Sequence, residues 1–180
     1  MRFTTTKIAY LALLIALGVV LTRIASIRIA IMGVEGIRIG LGGFPIIFAG
    51  FLFGPVAGGI VGAITDIIGF ASSPMGPYLP HFTLTAALTG ILPALVLKLF
   101  GIQEKPPYLL LFLAVIVGQG ITSLLLVPYF LHTIFGLPYQ VIMIPRFFAF
   151  AIEAPFYSGL AYILFHRLDT IFQRLRPSYQ

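Results

Sequence analysis

GGFPIIFAGFLFGPVAGGIVGAITDIIGFASSPMGPYLPHFTLT, from Gly42 to Thr85, is an apolar run dense in glycine and proline that carries a single acid, Asp66. Nothing this apolar stays dissolved in water, so the run belongs in lipid. Lipid in turn penalises both broken backbone and isolated carboxylates. A membrane chain that collects glycine, proline and one acid in this way is built around a site, with neighbouring helices covering the irregular backbone.

The rest of the chain has the same character. Of its 180 residues 59% are hydrophobic and 9% are charged, and mean hydropathy is +1.08. A soluble domain carries roughly 25% charge, so this is an integral membrane protein. It has no cysteine, which excludes disulfides, a thiolate nucleophile and thiolate metal ligands. The net charge of +6 does not indicate nucleic acid, because the basic residues stand at segment ends and form no stripe with exposed aromatics.

Apolar segments run from Thr6 to Thr22, Phe44 to Phe53, Val56 to Phe70, Phe82 to Leu97, Tyr108 to Val127 and Ile144 to Phe165. They predict an all-α fold: a polytopic bundle of six transmembrane helices forming a single integral membrane domain over residues 1–180. Gly54-Pro55 and Pro106-Pro107 punctuate it, since proline lacks an amide proton and disfavours helix just before it. The second segment is too short to cross. About ten residues at a ~1.5 Å rise give ~15 Å, half of a ~30 Å hydrocarbon core, so it starts earlier or stops inside protein. The glycines around it, from Gly42 to Gly62, permit the close backbone approach that burying such a helix requires. No fixed-period repeat is present.

With a cytoplasmic amino terminus and alternating segments, Arg2, Lys7, Lys98, Lys105, Arg167, Arg174 and Arg176 fall inside, and Arg23, Arg28, Arg38 and Arg146 outside. That distribution follows the positive-inside rule and places both termini in the cytoplasm. A cleaved signal peptide is the competing reading of Arg2, Lys7 and the first apolar run, and Arg23 and Arg28 weigh against it by occupying the expected cleavage region.

Three of the outer arginines lie in the segment between the first two helices, read here as a loop from Thr22 to Gly43; a loop of about twenty residues in a compact bundle is commonly a lid or binding loop. Arg23, Arg28 and Arg38 either touch lipid phosphates or gather an anionic solute, and their paired donors suit carboxylates. Asp66 is a binding residue, or else a structural partner of a buried arginine or a cap. Glu153 and Arg146 share a helix face, where they form an internal ion pair or contact the ligand. Gln119 either bridges helices or reaches the ligand.

Tyr78, His81 and Phe82, in the proline-stiffened stretch after the third segment, anchor the interface or stack on a flat ligand. His81, His132 and His166 lack the spacing and acid partners of a metal site, and none is expected. The acids Glu35, Asp66, Glu104, Glu153 and Asp169 are scattered, so no catalytic constellation is expected and the chain is not read as an enzyme. There is no phosphate loop of the Gly-x-x-x-x-Gly-Lys-Ser/Thr kind, so any ATP dependence comes from another subunit.

Gly43-Phe44-Pro45-Ile46-Ile47, Gly54-Pro55-Val56-Ala57-Gly58, Val61-Gly62-Ala63 with Asp66, and Gly76-Pro77-Tyr78 through Phe82-Thr83-Leu84-Thr85-Ala86-Ala87-Leu88-Thr89-Gly90 resemble the folate family of substrate-binding S-components from energy-coupling factor (ECF) vitamin importers. The resemblance covers about the middle third of the chain; elsewhere only length and the six-helix pattern match. Ala12-Leu13-Leu14-Ile15-Ala16 also resembles the alanine pair that such subunits carry on their first helix. The resemblance implies a bacterial plasma-membrane subunit with no cofactor of its own. Its implied partners are a transmembrane coupling subunit (EcfT), docking at Ala12 and Ala16, and two ATPase subunits (EcfA and its paralogue) that use ATP. Its implied mechanism is toppling of the whole subunit. Ala12 and Ala16 share a helix face, and packing inside the chain's own bundle is the alternative use of it.

Folate suits the residues. Asp66 accepts the adjacent donors of the pterin edge, Tyr78 and Phe82 cover the ring, and outer arginines meet the glutamate tail. Other vitamins carried by this importer class, pantothenate or a thiamin precursor, remain as alternatives. A standalone secondary transporter is a further one, although only the first half of the chain has the broken helices that such proteins show in both halves.

Overall fold

A computed structural model gives the fold for residues 4–24, 26–31, 34–74, 76–101 and 106–167, side chains between 27 and 39 excepted. Arg2, Glu104, Lys105, Asp169, Arg174 and Arg176 lie outside the described residues.

Helix α1 (Thr5–Arg23) leads into a two-stranded antiparallel hairpin of β1 (Ser26–Ile31) and β2 (Val34–Gly40). A 3-10 turn (Leu41–Gly43) then starts α2 (Phe44–Phe53), followed by α3 (Pro55–Ser72) and α4 (Pro80–Leu99). Helix α5 (Tyr108–Gln119), a π-helical segment (Gly120–Leu126) and α6 (Val127–Phe135) form one continuous rod, and α7 (Tyr139–Arg167) closes the bundle. The expected helical membrane bundle is therefore present, and among the described residues five rods are long and apolar enough to span. The segment from 22 to 43 differs from the expected loop. Its sequence alternates isoleucine with polar or small residues in SIRIAI and again in VEGIRIG, the period of a strand.

Helix α2 is the short second segment, and it stays short because it does not face lipid. All ten of its residues are buried. Phe44, Phe48 and Phe51 pack against Tyr157 and Phe165 of α7, and α5 contributes Leu111 and Val115 to the same core. At its carboxyl end Gly54 takes φ 91°, a left-handed geometry that favours glycine, and the chain turns directly into α3 with Pro55 in the first turn. Lys7 reaches this end: it is 7% exposed, its Nζ lies 3.5 Å from the Phe53 carbonyl and 5.4 Å from the centre of the Phe53 ring. From the first turn of α1, the cation thus meets the negative end of a buried helix.

Glycine contacts set the depth of the neighbouring helices. A Cβ on Gly90 of α4 falls 2.3 Å from the Gly58 carbonyl oxygen of α3, and one on Gly50 of α2 falls 2.3 Å from the Gly90 carbonyl. Three backbones therefore meet at one point. Pro93 inside α4 fits against Gly118 of α5, where a Cβ falls 2.4 Å from the proline ring. Further along the rod, Pro128 has no amide to bond the Leu124 carbonyl, next to the π-helical segment. The turn between α6 and α7 is closed by Gly136 at φ 67°, with Leu137 N–H bonded to the Leu131 carbonyl and His132 Nδ1 2.8 Å from the Leu137 carbonyl.

Candidate ligand-binding cavity

A cavity opens at the bundle end where α1 and α3 finish and α4 begins. Arg23 closes α1. It donates from Nη1 to the Ser73 carbonyl at 3.0 Å, and its guanidinium lies over Gly69, where a Cβ falls 3.0 Å from Nε. The missing side chain at Gly69 is what lets the arginine lie flat against α3 and line the cavity.

On the α3 and α4 side, Asp66, Phe70, Tyr78, Phe82, Thr85, Ala86 and Thr89 line the wall. Phe82, Thr85, Ala86 and Thr89 recur at the i, i+3, i+4, i+7 spacing of one helix face. Thr83 Oγ1 donates to Asp66 Oδ2 at 2.7 Å, and Tyr78 OH lies 2.8 Å from the same Oγ1. The Phe70 and Tyr78 ring centres are 5.3 Å apart, which makes an aromatic wall above the acid.

The floor comes from the junction of α5 with the π-helical segment: Gln119, Thr122 and Ser123. A π-helical insertion shifts the face that following residues present and is common at functional sites. Thr89 Oγ1 donates to the Thr85 carbonyl at 2.9 Å and lies 3.2 Å from Thr122 Oγ1, joining floor to wall. Gln119 is 5% exposed, yet its Oε1 accepts no hydrogen bond among the described residues. A buried amide oxygen left open is costly unless something arrives to donate to it.

The third side is α7. Arg146, Glu153 and Tyr157 follow one face and line the cavity. Glu153 Oε1 accepts the Gly40 amide at 2.9 Å, and Tyr157 OH donates to the Gly40 carbonyl. Both backbone groups at the end of β2 are thereby held by α7, which fixes where the hairpin leaves the cavity.

Of the residues singled out from sequence, the fold brings together Arg23, Asp66, Tyr78, Phe82, Gln119, Arg146 and Glu153. It does not bring His81, which is exposed on α4 with its ring centre 4.9 Å from that of Phe130, outside the cavity lining. Arg28 and Arg38 are register partners on β1 and β2, and their side chains lie outside the described residues. Sequence reading passed over Phe70, Thr85, Thr89, Thr122, Ser123 and Tyr157. The spacing of Thr85 and Thr89 with Phe82, and of Tyr157 four residues after Glu153, is the signal that finds them. Ala12 and Ala16 are both exposed on α1, away from its inward stripe of Lys7, Leu11, Gly18 and Thr22. No cluster of three or more metal-ligating side chains occurs among the described residues.

A family model described as the S component of an ECF-type riboflavin transporter matches residues 2–170. The folate transporter FolT of Clostridium novyi (strain NT) is 32% identical over 162 residues, covering 90% of this chain and 89% of that protein. A crystal structure of FolT bound with folic acid superposes with a TM-score of 0.75 at 26% identity, covering 91% of this chain and 95% of that one. The family model and these two relatives carry different vitamins in their descriptions.

Proposed function

The chain belongs to the S-component family of ECF-type transporters, and we propose that it binds folate in this cavity and delivers it to an ATP-driven coupling module. It is a transporter subunit and not an enzyme, and it is a multi-pass membrane protein. The observation that carries the folate reading is the way the cavity divides its polar groups. The Asp66 carboxylate is an acceptor for a ring edge rich in N–H groups, and Gln119, whose buried Oε1 accepts no hydrogen bond among the described residues, lines the same cavity. Phe70, Tyr78 and Phe82 supply the flat apolar wall, and the Arg23 and Arg146 guanidiniums supply cationic charge for a carboxylate tail. The similarity to a folate transporter and to a folate-bound structure supports the same choice.

Riboflavin is the second reading, on the description of the family model. It also offers a flat ring with a donor edge, but it has no carboxylate. The test therefore addresses the tail. Wild-type protein in detergent is titrated calorimetrically with folate, with riboflavin and with a pterin lacking the glutamate. Arg23→Gln is expected to weaken folate about tenfold, in the range of a lost charged hydrogen bond, and to leave the tail-less pterin nearly unchanged. Tight riboflavin binding without folate binding overturns the substrate assignment.

The wider assignment follows the same family logic. The cavity end faces outward in a bacterial plasma membrane and both termini face the cytoplasm. The carboxyl end of α2 has Lys7 of α1 beside it and Phe165 of α7 against Phe51, so the described chain ends lie at one end of the bundle. The exposed Ala12 and Ala16 strip receives the transmembrane coupling subunit, the ATP is used by two partner ATPases, and the whole subunit topples to release cargo inward.

A further inference from the structure

We infer that Thr83 is the positioning residue of the ligand site, aiming the Asp66 carboxylate into the cavity and tying it to Tyr78 in the loop above. The inference rests on the reading of Asp66 as the ligand's acceptor. Thr83 is absent from the cavity lining, whereas Asp66 and Tyr78 are both in it. It therefore acts on a guest only through those two residues.

The direction of the hydrogen bonds follows from counting protons. A threonine hydroxyl carries one, and Thr83 Oγ1 gives it to Asp66 Oδ2 at 2.7 Å. The same oxygen, 2.8 Å from Tyr78 OH, is left only with lone pairs toward the phenol, so the phenol donates. The chain runs from phenol to threonine to carboxylate. Each bond polarises the next, and the last is charge-assisted. Its consequence for binding is preorganisation: Oδ2 is held on the protein, the carboxylate is fixed about its side-chain torsions, and Oδ1 is presented to the guest. A carboxylate without this tether is ordered only at the moment of binding, at a cost in affinity.

Tyr78 gives the chain a second use. It is 43% exposed and sits in the loop between α3 and α4, beside Pro77 and with its ring against Phe70. The position of that loop is thus transmitted to the acid through one hydroxyl. A valine at position 83 keeps the shape and removes the hydroxyl, while a serine keeps the hydroxyl and removes the methyl group.

The experiment is a thermodynamic cycle on detergent-purified protein: wild type, Thr83→Val, Thr83→Ser, Asp66→Ala, and Thr83→Val combined with Asp66→Ala, each titrated with folate. Thr83→Val is expected to bind about tenfold more weakly, the effect of leaving one side chain to be ordered on binding. Thr83→Ser is expected to recover wild-type affinity, and Thr83→Val is expected to add no loss once Asp66 is gone. Thr83→Ala replaces the valine variant if the latter unfolds. Wild-type affinity in Thr83→Val overturns the inference. So does an equal loss with and without Asp66, and so does a serine variant as weak as valine, which assigns Thr83 to packing. Failure of the folate reading appears separately, in a wild type that binds riboflavin instead, and the same cycle is then run with riboflavin.

Discussion

Asp66 lines the cavity with Oδ2 held by Thr83, and under the proposed folate reading this sets what its replacement does. In Asp66→Asn the charge is lost and one acceptor becomes a donor, so the amide either faces a ligand donor with its own N–H or gives up the Thr83 bond. Folate binding is expected to weaken by about 1–3 kcal/mol, measured by calorimetric titration of the purified variant; unchanged affinity reassigns Asp66 to structure. The place of Asp66 on the cavity wall was legible from sequence because a lone carboxylate in an apolar run has few uses that repay its burial. Thr83 was not. A threonine in a membrane helix usually bonds its own backbone, as Thr85 and Thr89 do, and only the spacing between α3 and α4 turns this one toward an acid. His81 shows the reverse: its place in a distinctive motif suggested the ligand, and the fold sets its ring against Phe130, outside the cavity lining.

At the scale of elements, the glycines of the Gly42–Thr85 stretch have a measurable role. Any side chain at Gly90 meets the Gly58 carbonyl, a backbone atom that moves only with its helix. Gly90→Ala is expected to destabilise the bundle by about 1–3 kcal/mol, the usual range for overpacking. Gly159→Ala in α7, where nothing lies within 4 Å of the added atom, is expected to be neutral or slightly stabilising through helix propensity. Thermal unfolding followed by helical circular dichroism compares the two. Equal melting temperatures would remove the three-backbone contact from the account of how α2 is held. The short α2 and the glycine density were both legible together, since each makes sense only if the other is present. The hairpin was legible in principle, through its strand-period alternation; reading the stretch by length alone concealed it.

For the whole molecule, the outward face of α1 is where the proposed docking of a coupling subunit can be tested. Ala12 and Ala16 are exposed while Lys7, Leu11, Gly18 and Thr22 are buried, so bulk added at the alanines is directed away from the inward stripe of α1. Ala12→Trp and Ala16→Trp are expected to keep folate binding in the isolated protein and to abolish ATP-driven uptake in vesicles that hold all subunits. Full uptake by both variants would remove this face from the docking surface, and lost binding in both would place the alanines in internal packing after all.

What the sequence determined by itself was the membrane class, the six helical segments, their punctuation at Gly54-Pro55 and Pro106-Pro107, and the oddity of a lone acid among glycines. Each of these depends on how a residue and its near neighbours fare in lipid, which the local chain decides. Only the tertiary structure decided that α2 is sheathed by its neighbours, that Gly40 is gripped by Glu153 and Tyr157, that Gln119 lines the cavity with its buried Oε1 unpaired among the described residues, and that Thr83 stands behind Asp66. Those facts depend on the rotation and depth of one helix against another. They are set by contacts such as Gly58 with Gly90 and Gly118 with Pro93, between residues far apart in the chain, whose meeting no local pattern encodes.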